Sequence, residues 1–402
     1  MSSLPPQKYF LLSIAIAWAE PGLTQQLSSD ELQFAQRFAL SSLPEPIDLG
    51  NDFAHNPQAA ALGKALFFDK NLSVNNKVSC GTCHDPETQF QDNIPLAVGM
   101  EEGSRRTMPL TGAQWSPWLF WDGRKDSLWS QALEPIESSQ EHGLTRTEAA
   151  SHLLKNYNKG YRQVFGDIPL NVDRWPSKAS PNGGLDAADA WDSLTVATQF
   201  DINSVFSNLG KAIASFEITL RPQKNKLDKV IESNPTTPSL TDEELAGYRL
   251  FIGKAGCTHC HSGPRYTDDF FHNTGVPNHA MVPDIGRIAA FSKVTTDPFN
   301  CKGLYSSAEA SECDELTFMS TDFSTSYGAY KTPSLRGVSL RSPYMHQGQF
   351  ANLLQVLKHY NEAPTPMAEV AQKYGKNQMS ELTPLNLSND ELQQLKSFLE
   401  IL

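Results

Sequence analysis

Lys77-Val-Ser-Cys80-Gly-Thr-Cys83-His84 and Gly256-Cys257-Thr-His-Cys260-His261 repeat one pattern, C-x-x-C-H, at places 177 residues apart (257 − 80) in a chain of 402. Thiols at i and i+3 reach the two vinyl groups of a haem, and the histidine that follows takes an axial position on its iron. Each copy therefore reads as a c-type haem attachment site. A pair of zinc knuckles or a redox dithiol is the rival reading, but zinc modules hold their ligand pairs much closer together, and both copies here end in histidine. The candidate haem-binding residues are Cys80, Cys83, His84, Cys257, Cys260 and His261, with His84 and His261 as iron ligands.

The rest of the chain suits this reading. Its length predicts two or three domains, and 39% hydrophobic content supplies real cores. A formal charge of −12 argues against a nucleic-acid partner, because phosphate binding needs clustered cations; a basic partner protein fits better. Residues Lys8 to Ala19 carry one positive charge, a short apolar run and an Ala17-Trp18-Ala19 ending, the features of a secretory signal cleaved after Ala19. The run is too short to span a bilayer, and no later segment is apolar enough to try, so no membrane span is expected after signal removal. A periplasmic address follows, since c-type attachment in bacteria happens outside the cytoplasmic membrane. In such an oxidising compartment the two remaining cysteines, Cys301 and Cys313, are expected to close a short surface loop as a disulfide, with metal binding a minor alternative.

Local patterns place the motifs. Residues 56–68 read as a helix, with Ala59, Leu62, Ala65 and Leu66 on one side, delivering the chain to the first motif. Between Asp85 and Arg124 the chain is rich in Pro, Gly and polar residues and reads as loops wrapping a cofactor. Residues 166–195 read as an irregular excursion. Leu209, Ile213, Phe216 and Leu220 mark a following helix, and residues 234–240 an interdomain linker. Thr241 with Glu244, and Ser388 with Glu391, are capping boxes that start helices carrying Leu245, Tyr248, Phe251 and Leu392, Leu395, Phe398, Leu399. Helix, haem motif, loops, helix is the plan of a small cytochrome c domain, and it occurs twice. The expected fold is mainly α, with two cytochrome c-like domains at 20–235 and 236–402 after a signal peptide at 1–19, each carrying one covalently bound c-type haem.

Leu62-Gly-Lys-Ala-Leu-Phe-Phe-Asp69, Phe120-Trp121-Asp122-Gly123-Arg124, Lys331-Thr-Pro-Ser-Leu-Arg336 and Pro343-Tyr-Met-His346-Gln-Gly348 resemble segments of bacterial di-haem cytochrome c peroxidases and their MauG-like relatives. The segment from Phe299 to Met319 looks most like MbnH-type members associated with copper homeostasis. The resemblance implies that Trp121 lies between the two haems and relays electrons. It further implies that Gln131, Pro135 and Glu141, which follow Trp121 by ten, fourteen and twenty residues, line the peroxide side of the first haem. Glu141 is the candidate general acid/base, because peroxide heterolysis needs a group that takes a proton from one oxygen and delivers it to the other.

The second ligand of the His261 haem separates branches of the family: methionine in the peroxidases, tyrosine in the MauG-like branch. By register it is Tyr360, with Met345 and His359 as rivals. A phenolate stabilises oxidised iron better than a thioether does. Where many peroxidases cap the first haem with histidine, this chain aligns Met100, which either coordinates weakly or leaves the iron open to peroxide; the open site is preferred. The family's interdomain calcium uses an Asn side chain and two backbone carbonyls. Here the aligned residues are Thr107, Arg341 and Pro343, so calcium is expected to be weakly held or absent. Members acting on methylamine dehydrogenase carry a surface tryptophan where this chain has Ala255, so another partner and exit are expected, with Trp115 and Trp118 as alternatives.

The reading that follows is a periplasmic di-haem enzyme that uses hydrogen peroxide to reach a bis-Fe(IV) state and oxidise a residue, tryptophan foremost, of a partner protein. A di-haem peroxidase drawing electrons from a small redox protein, and a non-catalytic electron carrier, are the alternatives.

Overall fold

In the computed structural model, residues 26–232, 239–278, 284–363 and 380–402 are described; the signal segment and most of the 234–240 linker lie outside them. The described chain is mainly helical. Its single two-stranded sheet pairs Phe271 with Lys331 and His272 with Tyr330, antiparallel. No helix among the described residues is long and apolar enough to cross a membrane.

Two hydrophobic cores organise the helices, and each is built on a crossing that only glycine permits. In the first, the Pro57–Phe67 helix, capped by Asn56, lies across the long Val196–Glu217 helix. At the crossing a Cβ on Gly63 would stand 1.8 Å from the Ala212 carbonyl oxygen. In the second, the Asp242–Ile252 helix crosses the Asn389–Leu399 helix, where a Cβ on Gly247 would stand 2.0 Å from the Gln394 carbonyl oxygen. Removing the side chain lets backbone meet backbone, so the flanking apolar residues interlock. Leu62, Leu66 and Phe67 are buried on one side, and Leu245, Tyr248, Phe251, Leu395 and Phe398 on the other. Each crossing helix leads into a haem motif, so the two motifs emerge from equivalent corners.

The cores draw residues from across the chain. Phe38, ahead of the first motif, stacks on Tyr266 of the second half with ring centroids 4.9 Å apart. The buried pair of Asp228 and Arg336, at 2.6 Å, ties that segment down: Arg336 also donates to the Phe38 carbonyl, and Asp228 accepts the Leu40 N–H. In exchange, Phe299 from the second half is buried in the first core. Its loop is anchored where the Cys301 N–H donates to Asp126 at 2.8 Å and Asp297 pairs with Lys125. Cys301 and Cys313 are joined by a disulfide.

Within 166–195, read as irregular, the structure holds a Leu185–Asp192 helix beginning after Gly184. Its apolar residues are too few to show a stripe; Trp191 is the residue it buries. Between Asp85 and Arg124 there are only 3-10 turns and isolated bridges such as Asp85 with Gln91.

The long helix ends on Glu217, a carboxylate that is 4% exposed and has one oxygen without a hydrogen-bond partner. Burial, with Asp48 nearby, pushes its carboxyl from an ordinary 4.5 up to about 8. A carboxyl whose folded pKa is raised contributes stability fully below its unfolded pKa and loses it as pH rises through the folded value. Stability should therefore fall from this group as pH rises across that window. Denaturant unfolding of the holoprotein from about pH 5 to about pH 8 should show a shallower fall in Glu217→Gln than in wild type.

Candidate functional site

Each C-x-x-C-H motif is folded so that its histidine is aimed by the backbone. Cys80–Cys83 form one helical turn started by Ser79, and the His84 N–H closes back on the Cys80 carbonyl at 2.9 Å. The His84 Nδ1 then lies 2.7 Å from the Phe90 carbonyl oxygen. That acceptor requires Nδ1 to carry the proton and leaves Nε2 as a lone-pair donor, the form that binds a metal. At the second motif the His261 N–H bonds the Cys257 carbonyl at 2.8 Å, and His261 Nδ1 lies 2.9 Å from the Tyr266 carbonyl oxygen. Burial holds both imidazoles below the usual histidine range, so both are neutral. The four motif thiols are free of disulfides. Two thiols and one oriented imidazole at each motif, with a cavity beside the first, fit covalently held haem.

Beside the first motif is a cavity of about 440 Å³ whose lining includes His84, Trp121, Gln131, Pro135 and Glu141. The last three are brought there by the Leu128–Glu137 helix and the turn that follows it. Pro135, inside that helix, has no N–H for the carbonyl of Gln131, and the His142 N–H instead bonds the Pro135 carbonyl at 3.1 Å, folding the chain back so that Glu141 faces the same space. Gln131 is buried with its side-chain oxygen unpartnered, as expected of a group that meets a ligand or water. Glu141 is half-buried at the cavity wall, and burial raises its carboxyl above the ordinary range despite the opposing pull of Arg124. Arg124 is itself stacked on Phe120, 3.5 Å from the ring centre, and bonded to Asp122 and Glu134 at 3.0 and 2.7 Å.

Met100 does not line this cavity, although Gly99 and Glu101 do. Its N–H bonds the Glu141 carbonyl at 3.1 Å, and its side chain lies near Gly143. Glu217 lines a smaller adjoining space with Cys80, His84, Gln131 and Glu141. The sequence reading missed it, because an acidic residue ending an apolar helix looks like a solvated terminus.

Trp121 sits on the seam between the halves, 9% exposed. Its indole N–H donates to the Arg106 carbonyl at 2.9 Å, its own carbonyl accepts the Lys331 N–H at 2.8 Å, and its ring meets the edge of His346 at 6.4 Å. Beyond the seam, the Leu353–Glu362 helix carries Tyr360, whose phenol is raised above the ordinary range by desolvation first and then by the nearby Cys260 and Cys257 thiols. Of the rival ligands, His359 has Nε2 2.8 Å from the Thr274 carbonyl oxygen, and Met345 lies in a loop with φ +72°.

The aligned calcium residues do not form a cation cage. The Thr107 hydroxyl donates to Asp92, and the Arg341 carbonyl is taken by the Arg106 guanidinium at 2.6 Å. Of the tryptophans named as exits, Trp118 is buried beneath Arg287. Trp115 is half-buried, with its indole N–H on the Pro44 carbonyl.

Residues 57–236 match the family described as di-haem cytochrome c peroxidase. The methylamine utilization protein MauG of Methylorubrum extorquens is 30% identical over 350 residues, 86% of this chain and 78% of that one. The cytochrome c551 peroxidase of Nitrosomonas europaea is 28% identical over 309 residues, 75% of this chain and 72% of that one. Among solved structures, a MauG-like protein associated with microbial copper homeostasis superposes with TM-score 0.61 at 22% identity, covering 90% of this chain and 94% of that one. The diheme peroxidase BthA of Burkholderia thailandensis gives TM-score 0.65 at 20% identity, covering 86% of each.

Proposed function

The chain belongs to the di-haem cytochrome c peroxidase family that includes MauG, a family of peroxide-dependent haem oxidoreductases, and from that premise we propose that it is a periplasmic enzyme of the MauG-like kind. It would use hydrogen peroxide to oxidise a tryptophan of a partner protein. Tyr360, on the Leu353–Glu362 helix near the Cys257 and Cys260 thiols, supports the choice within the family: burial keeps the free phenol protonated, but bound to iron it would ionise, and a phenolate would favour holding oxidising equivalents where a methionine would favour handing electrons to peroxide.

Haem held by His84 would supply the iron that polarises peroxide; this chain's residues handle the protons. Glu141, as carboxylate, accepts the proton from one peroxide oxygen and returns it to the oxygen that departs as water. Gln131, its amide oxygen unpartnered and its amide group on the cavity wall, holds the bound peroxide or that water in place. Pro135 shapes the wall and keeps it free of a competing N–H donor. Trp121, bonded to both halves, would pass electrons between the two sites, and His261 and Tyr360 would hold a second haem able to share the oxidising power. The overall reaction balances as one tryptophan ring C–H and one H2O2 giving a ring C–OH and one H2O: the indole loses two electrons and a proton, water supplies the new oxygen, and peroxide takes up the electrons.

Glu141 acts as base only above its raised pKa. The acid limb of peroxide activation should therefore lie at higher pH than an ordinary carboxylate gives, with the rate falling as pH drops. Glu141→Gln should lose the limb and slow the reaction by about 10²-fold or more in stopped-flow traces.

The function itself is tested by steady-state competition. Holoprotein and peroxide with ferrocytochrome c as donor should turn over slowly, while a tryptophan-containing peptide should gain oxygen as read by mass spectrometry. Fast turnover with ferrocytochrome c and no change in the peptide would place the chain among the electron-consuming peroxidases.

A further inference from the structure

Arg106 is a guanidinium buried between the two halves that makes no ion pair among the described residues. Its Nη1 donates to the Arg341 carbonyl at 2.6 Å. Its Nη2 lies 3.1 Å from the Asp92 carbonyl oxygen, 3.4 Å from Gln91 Oε1 and 3.5 Å from the Ser342 carbonyl oxygen. Two of these four oxygens belong to the first half and two to the second. Its Nε is buried and unpartnered, and the residue borders the large cavity.

A buried charge costs several kcal/mol unless dipoles or counter-charges meet it. Here uncharged oxygens from both halves converge on one positive group, which is how proteins cage a hard cation. We propose that Arg106 is a built-in cation: its guanidinium occupies the interdomain position that the family resemblance assigns to calcium, and it clasps the two halves without a metal ion.

Three observations support this. The Arg341 carbonyl, one of the oxygens expected to face calcium, is already bonded by Arg106. Arg341 places a second buried guanidinium alongside, bonded to Gln89 Oε1 and the Ser334 carbonyl, and this would repel an incoming cation. Thr107, at the position where the family places the Asn amide, has its hydroxyl committed to Asp92. The clasp also reaches the electron route. Arg106 gives its own N–H to the His346 carbonyl at 2.8 Å and its carbonyl to the Trp121 indole at 2.9 Å, so the group that holds the halves also sets the indole. Arg106 is thus a positioning residue, and the inference stands apart from the identity of the protein's substrate.

Two arms test it. Elemental analysis of wild-type holoprotein should find no stoichiometric calcium, and EGTA should leave its haem spectra and melting temperature unchanged. About one calcium per chain, with spectra that EGTA alters, would overturn the proposal. In the second arm, Arg106→Ala should retain both haems but slow electron sharing between them by roughly tenfold or more. Added millimolar guanidinium or calcium should restore it in part, and Arg106→Lys should retain more of it than Ala. An Ala variant that shares electrons at the wild-type rate would also overturn the clasp. If that variant does not fold, the calcium and EGTA arm and Arg106→Lys still decide.

Discussion

Two main-chain hydrogen bonds across the seam, Lys331 N–H to the Trp121 carbonyl and Arg106 N–H to the His346 carbonyl, both at 2.8 Å, are what the rest of the arrangement depends on. Each half has a glycine-mediated helix crossing, a motif turn and an imidazole aimed by a carbonyl. One oxidant can be shared between two irons only if the separation and orientation of the halves are held constant, because electron transfer and proton positioning both fail when groups drift by ångströms. The seam bonds contribute to that constancy. The crossed segments add to it: Phe38 lies in the second core and Phe299 in the first, so neither half can swing without uncovering an aromatic ring.

The two sites are chemically unequal, and the inequality is the basis of the proposed division of labour. Around the first motif lies open space bordered by a raised carboxyl and an amide with a free oxygen. Around the second, the half-buried Tyr360 phenol lies near the motif thiols. Under the proposed function the first would admit a small oxidant and the second would hold oxidising equivalents. At the seam between them, Trp121 has its N–H engaged and its ring enclosed, which would shield the proposed relay from water.

Much of this was legible in the chain because the signals are local. The C-x-x-C-H turns, and the capping boxes at Thr241 with Glu244 and Ser388 with Glu391, involve residues three or four apart, and the structure forms both boxes. The distal group was legible only through register with a known family, since Gln131, Pro135 and Glu141 carry no pattern of their own. What could not be read depends on distant partners. Arg106 lies 235 residues from the carbonyl it bonds, and in sequence it is one of two adjacent arginines in a loop. Glu217 looks like an ordinary helix end until the fold buries it. The Leu185–Asp192 helix was hidden by the prolines and glycines before it, and Phe299 gives no local sign that it will leave its own half.

The most direct test of the account is EPR spectroscopy of the purified di-ferric holoprotein, before and after one equivalent of hydrogen peroxide. The account predicts two distinct ferric signals, high-spin at the open first haem and low-spin at the second, and the loss of both together after peroxide, because the oxidising equivalents are shared across Trp121. Loss of the high-spin signal alone, with the low-spin signal untouched, would contradict it. Two low-spin haems indifferent to peroxide would contradict it more fully.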